Sequence, residues 1–219
     1  MLISFFYLVQ KYKLHITGIL HVGAHICEEI RFYDKVLPRD KVLWVEAFQD
    51  KVEQSKNTYP DILIEQAVIS DEIETIPFYR SNNVESSSMF PLGLHKKFHP
   101  HVHYVETIMV TTQLLKNILC NYKIPFNFVN LDIQGAELKA LKSMENYLHT
   151  IDYIYTEVNA DYIYENCCII IEIDSYLRTF GFKRVETKWH KNDKWGDAFY
   201  IKETANSHSL PPPLIFSLW

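Results

Sequence analysis

Apolar residues along this chain come in short, dense runs, separated by polar stretches with helical spacing, and the two patterns alternate for most of its length. Gly18 to His25 (GILHVGAH) predicts a strand ending in a turn glycine, and residues 26–37 predict a helix, with charges and aromatics three and four apart. Val42–Glu46 predicts a second strand, residues 48–58 a polar helix, and Ile62–Ile69 a third strand. From about residue 72 to 112 the alternation lapses. There Ile76–Tyr79 and Val105–Thr111 read as strands, with a Ser/Asn-rich loop (Ser81–Ser88) and a histidine-rich stretch (His95, His99, His101, His103) between them. It then resumes with a strand at Phe126–Asp132 and a helix at Ala136–Leu148, whose Leu138, Leu141, Met144 and Leu148 share a face. A strand at Tyr153–Glu157 and a helix at 168–180, closed by Gly181 as a C′ residue, follow. Phe182–Trp189 and Asp197–Lys202 predict a closing hairpin.

Repeated strand–helix units imply an α/β fold, with a mostly parallel sheet and helices on both faces. The hairpin adds an antiparallel edge. In such sheets ligands sit beyond the carboxyl ends of the strands, where strand order reverses. The two ends of the chain break the pattern. Leu2–Val9 is apolar, but no basic residue precedes it and no small-residue cleavage site follows, so an amphipathic helix capping the core is expected rather than a signal peptide. Three consecutive prolines in Ser209–Trp219 rule out a helix or central strand, and residues 206–219 read as a tail. One domain over residues 1–205 is expected, with 72–112 as an insertion covering the acceptor site.

Composition narrows the class. The 219 residues are 47% hydrophobic and 22% charged, which is ordinary for a globular protein. A net charge of −5 disfavours broad nucleic-acid binding, which needs a basic face. No apolar run is long enough for a membrane span. The four cysteines (Cys27, Cys120, Cys167, Cys168) have no CxxC spacing, so a reduced, cytoplasmic protein is expected.

With six glycines in the chain, their places carry information. Gly23 follows the first strand, where backbone can approach a ligand closely. Glu46 ends the second strand 23 residues later, the spacing at which a carboxylate accepts ribose hydroxyls. A solvated strand end is the plain alternative for Glu46; we favour the ribose role. A dinucleotide fingerprint wants two further glycines, and none of the five residues after Gly23, which include Cys27 and Glu28, is one. Glu28 and Glu29 would repel a pyrophosphate and suit the amino group of a methionine-type cofactor. The residues therefore favour S-adenosylmethionine over NAD.

The most specific stretch is Asn130-Leu-Asp-Ile-Gln-Gly-Ala-Glu-Leu138. With His21-Val-Gly-Ala-His25, Trp44-Val-Glu46-Ala47, Ser86–Ser88, Thr111-Thr112, Tyr155–Asn159 and Trp195–Ala198, it resembles the FkbM family of S-adenosylmethionine-dependent methyltransferases over residues 18–202. The resemblance implies a Rossmann-like class I methyltransferase fold with a seven-stranded sheet, and O-methylation of a sugar or glycan. It implies cofactor contacts at His21, Gly23, Ala24, His25 and Glu28 on the first loop, at Glu46 and Ala47, at Ala67 and Val68, and at Asp132 and Gln134. One departure is Cys27, where the family commonly has a second glycine. It crowds the methionine end of the cofactor, or it is harmless if its φ is negative.

A sugar hydroxyl needs a base or a metal to become reactive. Asp132, Glu157 and His25 are the candidate bases, with helix capping an equal reading for Asp132. Asp132, Glu157 and Asn159 also suit a divalent metal, although no tight spacing supports one. Ser87, Ser88, Asn159, Trp195 and Asp197 are candidate acceptor contacts. Cys167 and Cys168 read as core, and the histidine stretch as a loop over the acceptor. A glycosyltransferase partner is a natural source of the acceptor. Two competing functions stand open: RNA ribose 2′-O-methylation, disfavoured by the absence of a lysine in the fourth strand, and a silent cofactor-binding module, disfavoured by Glu46, Asp132 and Glu157 together.

Overall fold

The structure is a computed structural model that describes residues 1–191, 193–203 and 205; the expected tail, 206–219, lies outside the described residues. Chain order begins with α1 (Phe5–Tyr12), β1 (Ile19–Val22), α2 (Ile30–Tyr33), β2 (Val42–Glu46), α3 (Gln49–Thr58) and β3 (Leu63–Gln66). It continues with β4 (Thr75–Ser81), α4 (His95–Phe98), β5 (Tyr104–Thr111), α5 (Leu115–Leu119), β6 (Phe128–Leu131), α6 (Glu137–Ser143) and β7 (Tyr153–Asn159). α7 (Ile170–Arg178), β8 (Phe182–Trp189) and β9 (Trp195–Lys202) complete it.

Seven strands form one sheet in the order β3-β2-β1-β6-β7-β9-β8, parallel from β3 to β7 and antiparallel through the last hairpin. β1 lies between β2 and β6, so the chain winds outward on one side and returns on the other. That reversal opens a crevice beyond the ends of β1, β2, β6 and β7.

The central strands are buried on both faces, as the dense apolar runs require. Alternate residues separate cleanly. Leu20, Val22, Leu43, Val45, Val129 and Leu131 pack with α5, α6 and α7. Ile19, Val42, Trp44 and Phe128 pack with Phe5 and Leu8 of α1 on the other face. α1 is the expected capping helix: the Ser4 side chain accepts from the Tyr7 N–H, and Lys13 at φ 51° ends it in a left-handed turn. Each fully buried side chain of this size stabilises the fold by about 1.5–3 kcal/mol.

Two expected helices are shorter than the pattern predicts. The one over 26–37 contracts to a single turn because His25 and Cys27 take positive φ, 45° and 61°. The one over 136–148 ends at Ser143, and Glu145 at φ 48° starts a 3-10 segment that carries Leu148 into the core. β4 and β5 make a separate two-stranded sheet. Its Phe78 packs with Phe48 and Val68, just past β2 and β3, which seats the hairpin over the crevice.

Candidate active site

A cavity of about 490 Å³ opens at the crevice. At its β2 end, Glu46 is buried and both carboxylate oxygens accept backbone N–H groups, Oε2 from His25 at 2.7 Å and Oε1 from Phe48 at 2.9 Å. Burial pushes its pKa up, against the pull of those donors. Each oxygen keeps a second lone pair for a ligand hydroxyl, so the residues present fit a ribose. His25, Glu28, Ala47, Ala67 and Val68 line the same end.

Gly23 has φ 89°, and a Cβ there would lie 1.9 Å from the Asp132 carbonyl oxygen. The glycine is required by the close approach of the β1 and β6 ends. Ala24 is buried and does not line the cavity, although its N–H, like that of Gly23, fastens the loop to the Val45 carbonyl. His21 lines the cavity from within a polar knot: its Nδ1 lies 3.1 Å from the Tyr33 hydroxyl and 3.2 Å from Asn130 Nδ2, and its ring stacks on Trp44. Burial pushes its pKa down to about 4, so it is uncharged at neutral pH. His25 Nδ1 sits 2.7 Å from Glu28 Oε1, and that bond raises its pKa. Glu85 approaches the same ring, and the three groups bring ligand atoms within 4.8 Å of one another. The His25–Glu28 pairing accounts for this half-exposed set without an ion.

At the opposite end, Asp132 follows β6 and Glu157 lies on β7. Gln134 joins them, its Nε2 donating to Asp132 Oδ1 at 2.7 Å and to Glu157 Oε2 at 2.9 Å. Tyr164 donates to Gln134 Oε1 at 2.6 Å, and Ser88 donates to its backbone carbonyl at 2.7 Å. This bridge needs Gln134 at φ 54° and Gly135 at φ 102°. Glu137 fixes that turn: its Oε1 accepts the N–H groups of Ile133 and Gly135, both at 3.1 Å.

Burial and the Asp132 carboxylate push the Glu157 pKa well up. Asp132 is pushed up by its surroundings and by Asp197, but its side chain is open to the cavity and water moderates the shift. The pair therefore holds its proton on Glu157 and leaves Asp132 as the ionised, reachable member.

Among the candidate acceptor contacts, Ser87, Trp195 and Asp197 line the cavity. Ser88 and Asn159 do not. Ser88 serves the Gln134 turn, and Asn159 is fully buried with neither amide atom bonded among the described residues. Asp197 accepts from the Tyr155 hydroxyl and the Leu2 N–H. Cys27 is buried in the apolar cluster with Ile30 and Tyr33, away from the cavity, despite its positive φ. It does not crowd the site. Tyr164 and Glu85 are site neighbours that no spacing announced, while His95 comes from the histidine stretch. Glu137 stood in the motif, and its role as a clamp on the turn is visible only in the fold.

This sheet order, with the ligand crevice at its switch point and a carboxylate ending the second strand, is that of class I S-adenosylmethionine-dependent methyltransferases. The chain belongs to the FkbM methyltransferase family, whose model matches residues 21–184. No curated protein matches the sequence. Among solved structures, magnesium protoporphyrin IX methyltransferase from Synechocystis PCC 6803 aligns over 90% of this chain and 74% of its own, with TM-score 0.50 and 8% identity. The ribosomal protein L11 methylase of Lactobacillus delbrueckii subsp. bulgaricus covers 90% and 75%, at TM-score 0.51 and 9% identity. An S-adenosylmethionine-dependent methyltransferase from Clostridium acetobutylicum covers 90% and 88%, at 0.51 and 6%. At such identities the likeness is one of fold, and the acceptor has to be read from the site. The enzyme is thus a methyltransferase that uses S-adenosylmethionine. No helix among the described residues is long and apolar enough to cross a membrane.

Proposed function

We propose that this enzyme transfers the methyl group to a hydroxyl of a sugar or glycan. The observation that supports it is one cavity joining Glu46 to the Asp132–Gln134–Glu157 group. When bound, S-adenosylmethionine supplies a sulfonium methyl, an electrophilic carbon whose departure leaves an electron pair on sulfur. Glu46 holds the ribose hydroxyls, Glu28 the amino group, and Ala47, Ala67 and Val68 wall the base. Asp132 orients the acceptor hydroxyl and takes its proton on Oδ2, the oxygen that Gln134 leaves free. Glu157, kept protonated, holds Gln134 and hence Asp132 in place. His25 is a poorer base, since its pairing with Glu28 favours the imidazolium. Trp195, Asp197 and Ser87 contact the sugar, with Ser88 and Asn159 behind them. Residues 1–205 act as one domain in the cytoplasm, with 72–112 closing over the acceptor, which a glycosyltransferase partner supplies.

Titration calorimetry with S-adenosylmethionine and S-adenosylhomocysteine, on wild type and Glu46→Ala, tests the cofactor end. A loss of about a hundredfold or more in the variant, with the fold intact, is the outcome expected of a lost pair of ribose hydrogen bonds. Methyl transfer from labelled cofactor to saccharides tests the other end. Asp132→Asn should lower kcat by about 10²–10⁴ and leave cofactor affinity within a few-fold. Full turnover in that variant would remove Asp132 as the base.

A further inference from the structure

The cavity has no lysine or arginine among its described lining residues. Its acceptor end instead gathers the carboxylates Asp132 and Asp197 beside the protonated Glu157, and the facing lip carries Glu28, Glu29 and Glu85. We propose that the acceptor is an uncharged sugar residue of a glycan, and that this acidic cavity rejects uronic acids, sulfated or phosphorylated sugars and nucleotide-diphosphate sugars. The proposal rests on the methylation of a sugar hydroxyl argued above and adds the charge of its substrate.

An anion brought here would face carboxylates at short range in a recess where salt screens poorly, and like charges so placed reject a partner strongly. The histidines do not compensate. His95 lines the cavity and is buried, its Nδ1 has no partner among the described residues, and burial pushes its pKa down to about 4, so at neutral pH it offers a hydrogen bond and no charge. His21 is likewise neutral, the ring of His25 is committed to Glu28, and the Met1 ammonium, which also lines the cavity, faces Glu29 at 3.9 Å. His99 faces Asp193 at 3.6 Å, and His101 stands exposed on the rim. Hydroxyls, by contrast, find what they need: carboxylate acceptors, a neutral imidazole, and the ring of Trp195 for the apolar face of a pyranose. Rejection of anions is built by repulsion and recognition by hydrogen bonds. It follows that the reaction supplying this substrate is a glycosyl transfer that has already released the nucleotide diphosphate, so that methylation acts on the finished neutral residue.

The test is a panel of neutral methyl glycosides and oligosaccharides, their uronate counterparts, and nucleotide-diphosphate hexoses, assayed with labelled S-adenosylmethionine. The neutral members should exceed the anionic ones by about a hundredfold in kcat/KM, the scale of a strong charge mismatch. Anionic sugars turned over as well as neutral ones would overturn the charge assignment and leave sugar methylation standing. Methyl transfer to RNA and to no saccharide, by enzyme that binds cofactor, would overturn both.

Discussion

Cys27 holds a conformation that ordinary side chains avoid. At φ 61° its Cβ costs on the order of 1–2 kcal/mol, which glycine would not incur. The thiol is nevertheless buried in the cluster beneath α1, and burial drives its pKa up to about 12, so it behaves as a small apolar group. Strain and burial nearly cancel. Cys27→Gly should therefore change stability by no more than about 1 kcal/mol, while Cys27→Ala, keeping the strain and losing packing, should destabilise by about 1 kcal/mol. Denaturant melts of both variants check the pair. Calorimetry should find cofactor affinity unchanged in each, since the side chain points away from the cavity; a tenfold change would mean that the first loop moves with it.

The turn between β6 and α6 is the element on which the site depends. Gly135 could not be replaced there, because a Cβ would lie 2.6 Å from that of Cys167 and φ is 102°. Glu137, fully buried, supplies the acceptor for two N–H groups that would otherwise be orphaned. Glu137→Ala should cost about 2 kcal/mol or more in stability and lower kcat beyond what unfolding explains, because Gln134 loses its placement against Asp132 and Glu157. Glu137→Gln keeps one carbonyl oxygen for both donors and should restore most of kcat. Chemical melts and single-turnover rates separate the two effects; equal loss in both variants would show that charge, not the clamp, is what matters.

Across the whole molecule the buried carboxyls set the pH response. Burial raises Glu46 and Glu157, and carries Glu137 from 4.5 up to about 7. In the unfolded chain these groups ionise near 4.5, so between that pH and their native values the folded state holds more protons, and stability falls as pH rises. The exposed pairs that lower Asp50 and Asp61 act in the opposite direction, and so do His21 and His95, whose native values of about 4 lie below the unfolded 6.5. The contributions of these groups are lost as pH drops, but above about pH 5 the raised carboxyls outnumber the two histidines. The melting temperature should accordingly fall between about pH 5 and pH 8. Glu137→Gln should flatten that fall by up to about 3 kcal/mol, at roughly 1.4 kcal/mol per pKa unit. Calorimetric scans across that range decide it: a slope unchanged in the variant would place the titration elsewhere.

The central strands were legible because burial on both faces demands unbroken apolar runs, as in Val42–Glu46, the edge strand Phe182–Trp189 was legible as one arm of the closing hairpin, and the family was legible in the polar residues at strand ends. The helices over 26–37 and 136–148 were overestimated, because left-handed His25, Cys27 and Glu145 break them and periodicity carries no record of backbone sign. The sequence alone determined the α/β alternation, the closing hairpin and the candidate carboxylates Glu46, Asp132 and Glu157. Tertiary structure alone decided that Gln134 joins Asp132 to Glu157, that Tyr164 and Ser88 hold Gln134 from 30 and 46 residues away, that Glu137 clamps the turn, and that Cys27 faces the core. Local spacing reports which face of an element is buried, while those contacts depend on where the sheet reverses and which distant loops the reversal brings together.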